Sequence, residues 1–188
     1  SFTCNSGTDA LYVCLSVDVN TSTAHAMTYN GVAMTLVASE LTQQQALIFR
    51  LLAPTTGSSL TISATWTTNR AAAMVAFALS GVNQTTPEGT AASSASAGAT
   101  SSSTGTISLS SGDLGIDCVA CNSTTGAQLT ASGSQANATV ANRSDAPTND
   151  TSVGGSTLDG SGSVTMGWSW SSGSIRYEIQ CRYCADRI

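Results

Sequence analysis

A chain of 188 residues with a net charge of −5 and only 9% charged residues is long enough for one buried core, yet far below the roughly 25% charge of ordinary soluble domains. Its six basic residues are all arginines (Arg50, Arg70, Arg143, Arg176, Arg182 and Arg187) against eleven acidic ones, so it lacks the basic patch that a nucleic-acid partner requires. The absence of Lys excludes amine nucleophiles, and no apolar run approaches the ~18 residues of a membrane span, so no membrane partner is expected.

Ser and Thr make up about a third of the chain, a composition that favours strands and turns over helices. The opening SFTCNSG carries neither a basic leader nor a long apolar stretch, so no signal peptide is read there. From Ala10 to Val19 the residues alternate, with Leu15, Val17 and Val19 on one face and Ser16, Asp18 and Asn20 on the other. Ala24–Tyr29, the pair Asn30-Gly31 and Val32–Ala38 read as a hairpin, because Asn-Gly suits the positive φ angles of a type I′ turn.

Gln45–Leu52 is the next strand, ended by Ala53-Pro54. In Leu60–Trp66 the alternation places Leu60, Ile62, Ala64 and Trp66 toward the core, and Ala71–Leu79 reads as a buried strand. The small polar stretch from Thr90 to Thr106 is read as a long outer strand or loop in preference to a linker, because the β pattern continues on both sides of it. Leu114–Cys121 is a strand, and residues 127–162 are expected to be polar and loop-rich, with short strands at best. In Ser163–Trp170, Val164, Met166, Trp168 and Trp170 share one face, and Ile175–Tyr183 closes the chain. The pattern is all-β: an antiparallel, jelly-roll-like β-sandwich in a single domain spanning 1–188.

No catalytic residue is assigned. The single His25 lies in a β-rich run without the local signature of a Ser-His-Asp or Cys-His centre and is read as structural. Asp113 and Asp117 flank a strand start, and Asp145, Asp150 and Asp159 sit in the polar region. Paired acids for glycoside hydrolysis, or a Ca²⁺ site, stay open only as minor readings, since no EF-hand spacing occurs. No cofactor and no metal are expected.

Six cysteines, Cys4, Cys14, Cys118, Cys121, Cys181 and Cys184, include two CxxC pairs. The gap between the pairs far exceeds the usual spacing of a Cys₄ zinc site, and residues i and i+3 of a strand point to opposite faces. Zinc at Cys118, Cys121, Cys181 and Cys184 is therefore ranked below disulfides or buried thiols, and all six cysteines are disulfide candidates. Trp168 and Trp170 are read as core aromatics, with Trp66, Trp168 and Trp170 as glycan-stacking candidates if exposed. Six Asn-x-Ser/Thr sequons begin at Asn20, Asn83, Asn122, Asn137, Asn142 and Asn149, and several such matches are expected by chance in so Ser/Thr-rich a chain.

The segments Thr28–Thr35, Ile48–Pro54, Leu60–Trp66, Phe77–Pro87 and Gly112–Asp117 together resemble a recurrent β-sandwich module of phage virion proteins, including head decoration and tail-associated proteins, and of bacterial surface proteins. The most specific piece is Ser80-Gly-Val-Asn-Gln-Thr-Thr-Pro87. The resemblance spans about Ala10 to Arg182 and rests on turn and core signatures. Where the module has plain aliphatics, this sequence has Cys118, Cys121, Cys181 and Cys184. The resemblance implies a virion structural protein: a capsid decoration or cement protein made in the host cytoplasm and carried on the virion exterior. Its partner would be the major capsid protein or another virion protein, and it would be a homo-oligomer such as a trimer. The alternative is a carbohydrate-binding or adhesive module.

Overall fold

The computed structural model describes residues 1–18, 24–41, 44–68, 70–97, 101–103, 107–122, 129–145, 149–170 and 175–183. Among these there is no helix, and nineteen strands follow in chain order. The first half holds β1 (Phe2–Cys4), β2 (Ala10–Val17), β3 (Ala26–Tyr29), β4 (Val32–Ala33), β5 (Thr35–Glu40), β6 (Gln45–Leu52), β7 (Gly57–Leu60), β8 (Ile62–Thr65) and β9 (Ala72–Leu79). The second half holds β10 (Ala92–Ala97), β11 (Ser101–Ser103), β12 (Ile107–Leu109), β13 (Leu114–Asn122), β14 (Thr130–Ala131), β15 (Ala136–Asp145), β16 (Asn149–Asp159), β17 (Gly162–Val164), β18 (Gly167–Ser169) and β19 (Ile175–Tyr183).

Two antiparallel sheets form the centre, one ordered β5-β6-β2-β9 and the other β10-β19-β13-β16-β15. They face each other across a core in which Tyr12, Cys14, Ile48, Val75 and Phe77 meet Ile116, Cys118, Ala120 and Val153. The chain completes the first sheet before starting the second. This order is sequential by sheet and differs from the alternation of a jelly roll.

Each central sheet also carries a smaller sheet on its outer face. On the four-stranded sheet, Leu11, Val13, Leu15 and Phe49 pack under β4-β3-β8 through Met27 and Tyr29. On the five-stranded sheet, Val119 and Cys121 pack under β11-β18-β14 through Trp168. This layering explains why β2 and β13 are apolar at both parities. Every residue from Ala10 to Val17 is buried, so the face holding Ser16 is no more exposed than the face holding Leu15. Ser16 is accommodated by hydrogen bonding to Thr151 Oγ1 at 2.6 Å and to Gln44 Nε2 at 3.0 Å, as a buried hydroxyl requires.

The Asn30-Gly31 turn forms as the sequence implies, with φ of 48° and 80° between paired β3 and β4. The expected partner strand Val32–Ala38 is divided: β4 stays in the outer sheet, and after Met34 the chain enters β5 of the central sheet. Leu60, Ile62, Ala64 and Trp66 line one side of the outer core as expected. Val19 and Asn20 lie outside the described residues.

The reading of 127–162 as loop-rich is corrected by β15 and β16, of 10 and 11 residues, which are the longest strands described. β16 lies inside the five-stranded sheet between β13 and β15. Its Ser, Thr and Gly residues carry no apolar alternation because its neighbours fill the space themselves. A Cβ at Gly154 would stand 2.8 Å from Val119 and 2.9 Å from the Trp168 ring, and one at Gly155 would stand 2.8 Å from Phe77. Two adjacent glycines are thus required by close approach from the two faces.

Candidate functional site: a buried carboxylate and an open tryptophan groove

Asp117 sits mid-strand in β13 on the outward face shared with Val119 and Cys121, and it is fully buried beneath the outer sheet. Its Oδ1 accepts the Ser156 backbone N–H at 2.8 Å and the Ser156 hydroxyl at 2.6 Å. Its Oδ2 accepts Trp168 Nε1–H at 2.7 Å and Gln135 Nε2–H at 2.8 Å. Gln135 lies in the turn between β14 and β15, and its Oε1 accepts the Gly167 N–H at 2.7 Å. One carboxylate therefore ties β13, β16, the β14–β15 turn and β18 together.

Burial pushes the Asp117 carboxyl up to about 7, while the bonds from Ser156, Trp168 and Gln135 pull it back toward the ionised form. With both oxygens occupied and no solvent access, this acid serves as an anchor between layers. Charge-assisted hydrogen bonds contribute about 1.5–3 kcal/mol each against the cost of removing the carboxylate from water.

Several other polar side chains among the described residues are also engaged within the fold. Asp113 accepts the Ser110 N–H at 2.6 Å and caps the turn before β13. It and Asp117 thus have separate structural partners, and the structure does not bring them together as an acid pair. His25 Nε2 bonds Gln45 Oε1 at 2.8 Å. Arg50 pairs with Glu88, which also accepts the Tyr12 hydroxyl at 3.2 Å. Asp159 is exposed at the end of β16, and the side chains of Asp145 and Asp150 lie outside the described set. Among the described residues no three His, Cys, Asp or Glu side chains cluster as a metal site.

Four of the six disulfide candidates are corrected. Cys4, Cys14, Cys118 and Cys121 are buried thiols, none of them in a disulfide. They are divided among three cores: Cys14 and Cys118 between the central sheets, Cys4 under the outer sheet beside β2, and Cys121 under Trp168. The Cys14 thiol donates to Asp117 O at 3.3 Å, and the Cys118 thiol lies 3.8 Å from Leu47 O. Cys118 and Cys121 enter opposite faces of one strand, so one metal cannot take both. The Cys181 side chain and Cys184 lie outside the described residues.

Trp168 and Trp170 are 1% and 4% exposed, which removes them as glycan platforms and fits their reading as core aromatics. Trp66 is half-buried and, with Ala64, Thr65 and Thr68, lines an open groove of about 350 Å³. The sequons at Asn137 and Asn142 are exposed on β15. Asn83 accepts the N–H groups of Thr85 and Thr86 at 2.8 and 2.9 Å. Asn20 and the side chains of Asn122 and Asn149 lie outside the described set.

The phrase Ser80–Pro87 also has a local explanation. Gly81, with φ of 73°, donates its N–H to Asp9 Oδ2 at 2.6 Å, and Gln84 Nε2 reaches Asp9 O at 3.2 Å. These bonds fix the exit of β9 beside the entry of β2. Sequence reasoning missed Gln135 and Ser156, because nothing local to either residue marks a contact with β13. The available signal was Asp117 itself, an acid inside the run Leu-Gly-Ile-Asp-Cys-Val-Ala-Cys. Comparison with known family models, curated proteins and solved structures found no match.

Proposed function

We propose that this chain is a non-catalytic structural protein of a virus particle, a decoration or cement domain that binds the outer shell of a bacteriophage. The observation that carries this reading is the internal use of its reactive groups: Asp117, Asp113, His25, Glu88 and Asp9 each hold a strand, turn or layer in place. The resemblance of Thr28–Thr35 and Ser80–Pro87 to the virion module supplies the address. Such a domain acts by binding across subunit junctions and so favouring the assembled state by mass action. Purified protein added to bare shells should co-sediment with them and raise their temperature of disruption. Failure to bind the bare shell of its own phage would overturn the reading.

A second reading rests on Trp66. A half-buried indole in an open groove beside Thr65 and Thr68 offers a stacking face for a sugar ring. A glycan screen read by Trp fluorescence, repeated with Trp66→Ala, tests it. A signal lost in that variant supports a carbohydrate-binding module, and no signal on any glycan removes it.

A further inference from the structure

The outer edge of β9 closes the four-stranded central sheet, and no described strand pairs with it. Its ladder with β2 fixes which backbone groups point outward. Asp18 N–H bonds Ala71 O at 3.0 Å, and the register continues in steps through Ala73–Ser16, Val75–Cys14 and Phe77–Tyr12. Because bonds to one neighbour recur at every second residue of an antiparallel strand, the odd residues face β2. The N–H and C=O groups of Ala72, Met74, Ala76 and Ala78 point away from the sheet.

Sheet edges are usually blunted by charge, proline or bulges. β5 has a bulge between Leu36 and Ala38 and ends in Glu40. β15 has one between Ala136 and Thr139 and carries Arg143. β10 is a polar Ala/Ser strand. β9, AAMVAFAL, has no charge, no proline and an unbroken eight-residue register. Its inward residues Ala73, Val75 and Phe77 keep 7–8% exposure, whereas Tyr12, Cys14 and Ser16 beside them have none.

We propose that this edge is a self-association surface: a second copy of the chain docks its own β9 antiparallel, about a two-fold axis at Val75, and extends the central sheet across both copies. A two-fold interface must be self-complementary, and this strand is so in size. Pairing about Val75 sets Phe77 against Ala73, Met74 against Ala76, Leu79 against Ala71 and Ala78 against Ala72. Met74, Phe77 and Leu79 each meet an alanine, Val75 meets its own counterpart on the axis, and no like charges meet. The same register brings the outward residues opposite one another, Ala72 with Ala78 and Met74 with Ala76, as hydrogen-bonded pairs. β15 packs over β9 at the same side of the molecule, and its bulge and Arg143 confine the continuation to the four-stranded sheet.

Sedimentation from low to high micromolar concentration, combined with residue-resolved amide exchange, tests this. The wild type should form a reversible species of twice the 18.9 kDa chain mass. In that species the amides of Ala72, Met74, Ala76 and Ala78 should become protected as concentration rises. Ala76→Pro removes a central outward N–H at a position where an edge strand tolerates proline and should give a monomer with native circular dichroism. Ala78→Pro, at an exposed residue near the strand end, keeps the test valid should the first variant misfold, and should weaken the dimer at least about tenfold. A wild type that stays monomeric overturns the proposal. So does a dimer unaffected by a folded proline variant, or one whose four amides exchange as freely as in the monomer.

Discussion

Asp117→Asn separates the two effects that meet at the buried carboxylate. In the wild type the folded-state acid titrates near 7, against an ordinary value of 3.8. Between those values the folded chain holds a proton that the unfolded chain has released. The stabilisation from this proton is complete below about pH 4 and lost as pH rises through about 7, a change of about 4 kcal/mol. Asparagine has the same shape but no titration. With its oxygen toward Trp168 and Gln135, its amide can donate to the Ser156 hydroxyl but faces the Ser156 N–H, leaving one buried donor unsatisfied at about 1–3 kcal/mol. The variant should therefore be the less stable protein near pH 4, and the gap should close or reverse by pH 8. Urea unfolding of both proteins at steps across this range, followed by Trp fluorescence, isolates the effect, since all other groups cancel in the difference. A difference independent of pH would refute the reasoning.

Three further outcomes follow from the layering. Gly154→Ala and Gly155→Ala, whose Cβ atoms would stand 2.8 Å from Val119 and Phe77 respectively, should each destabilise by about 1–3 kcal/mol in urea titrations. Trp168→Ala, which empties the core of the outer sheet over Val119 and Cys121, should cost about 3–5 kcal/mol, whereas Trp66→Ala should leave the melting temperature within a few degrees. The thiols of Cys4, Cys14, Cys118 and Cys121 should react with an alkylating reagent only on unfolding, with mass mapping showing all four labelled in denaturant without prior reduction.

The strands that could be read directly are those whose alternation meets one covered and one open face, such as Leu60–Trp66, or whose turn dictates its own geometry, such as Asn30-Gly31. The layering was harder to foresee, although β2 carries its sign: Leu11, Val13 and Leu15 at one parity and Ala10, Tyr12 and Cys14 at the other show both faces covered. β15 and β16 escaped because their apolar partners belong to other strands. Gly154 and Gly155 record the Trp168 and Phe77 rings only as missing side chains. Asp117 was visible as an acid in an apolar run, but its donors come from residues 18 to 51 positions away, beyond any local motif.

The proposal to be tested first is that the domain is an ordered part of a particle exterior. Cryo-electron microscopy of purified virions, with quantitative mass spectrometry of their proteins, tests it most directly. This β fold should then appear in many symmetry-related copies on the shell, in fixed ratio to the major capsid protein. Virions that lack the protein, with the chain instead found as a free glycan-binding monomer, would contradict it.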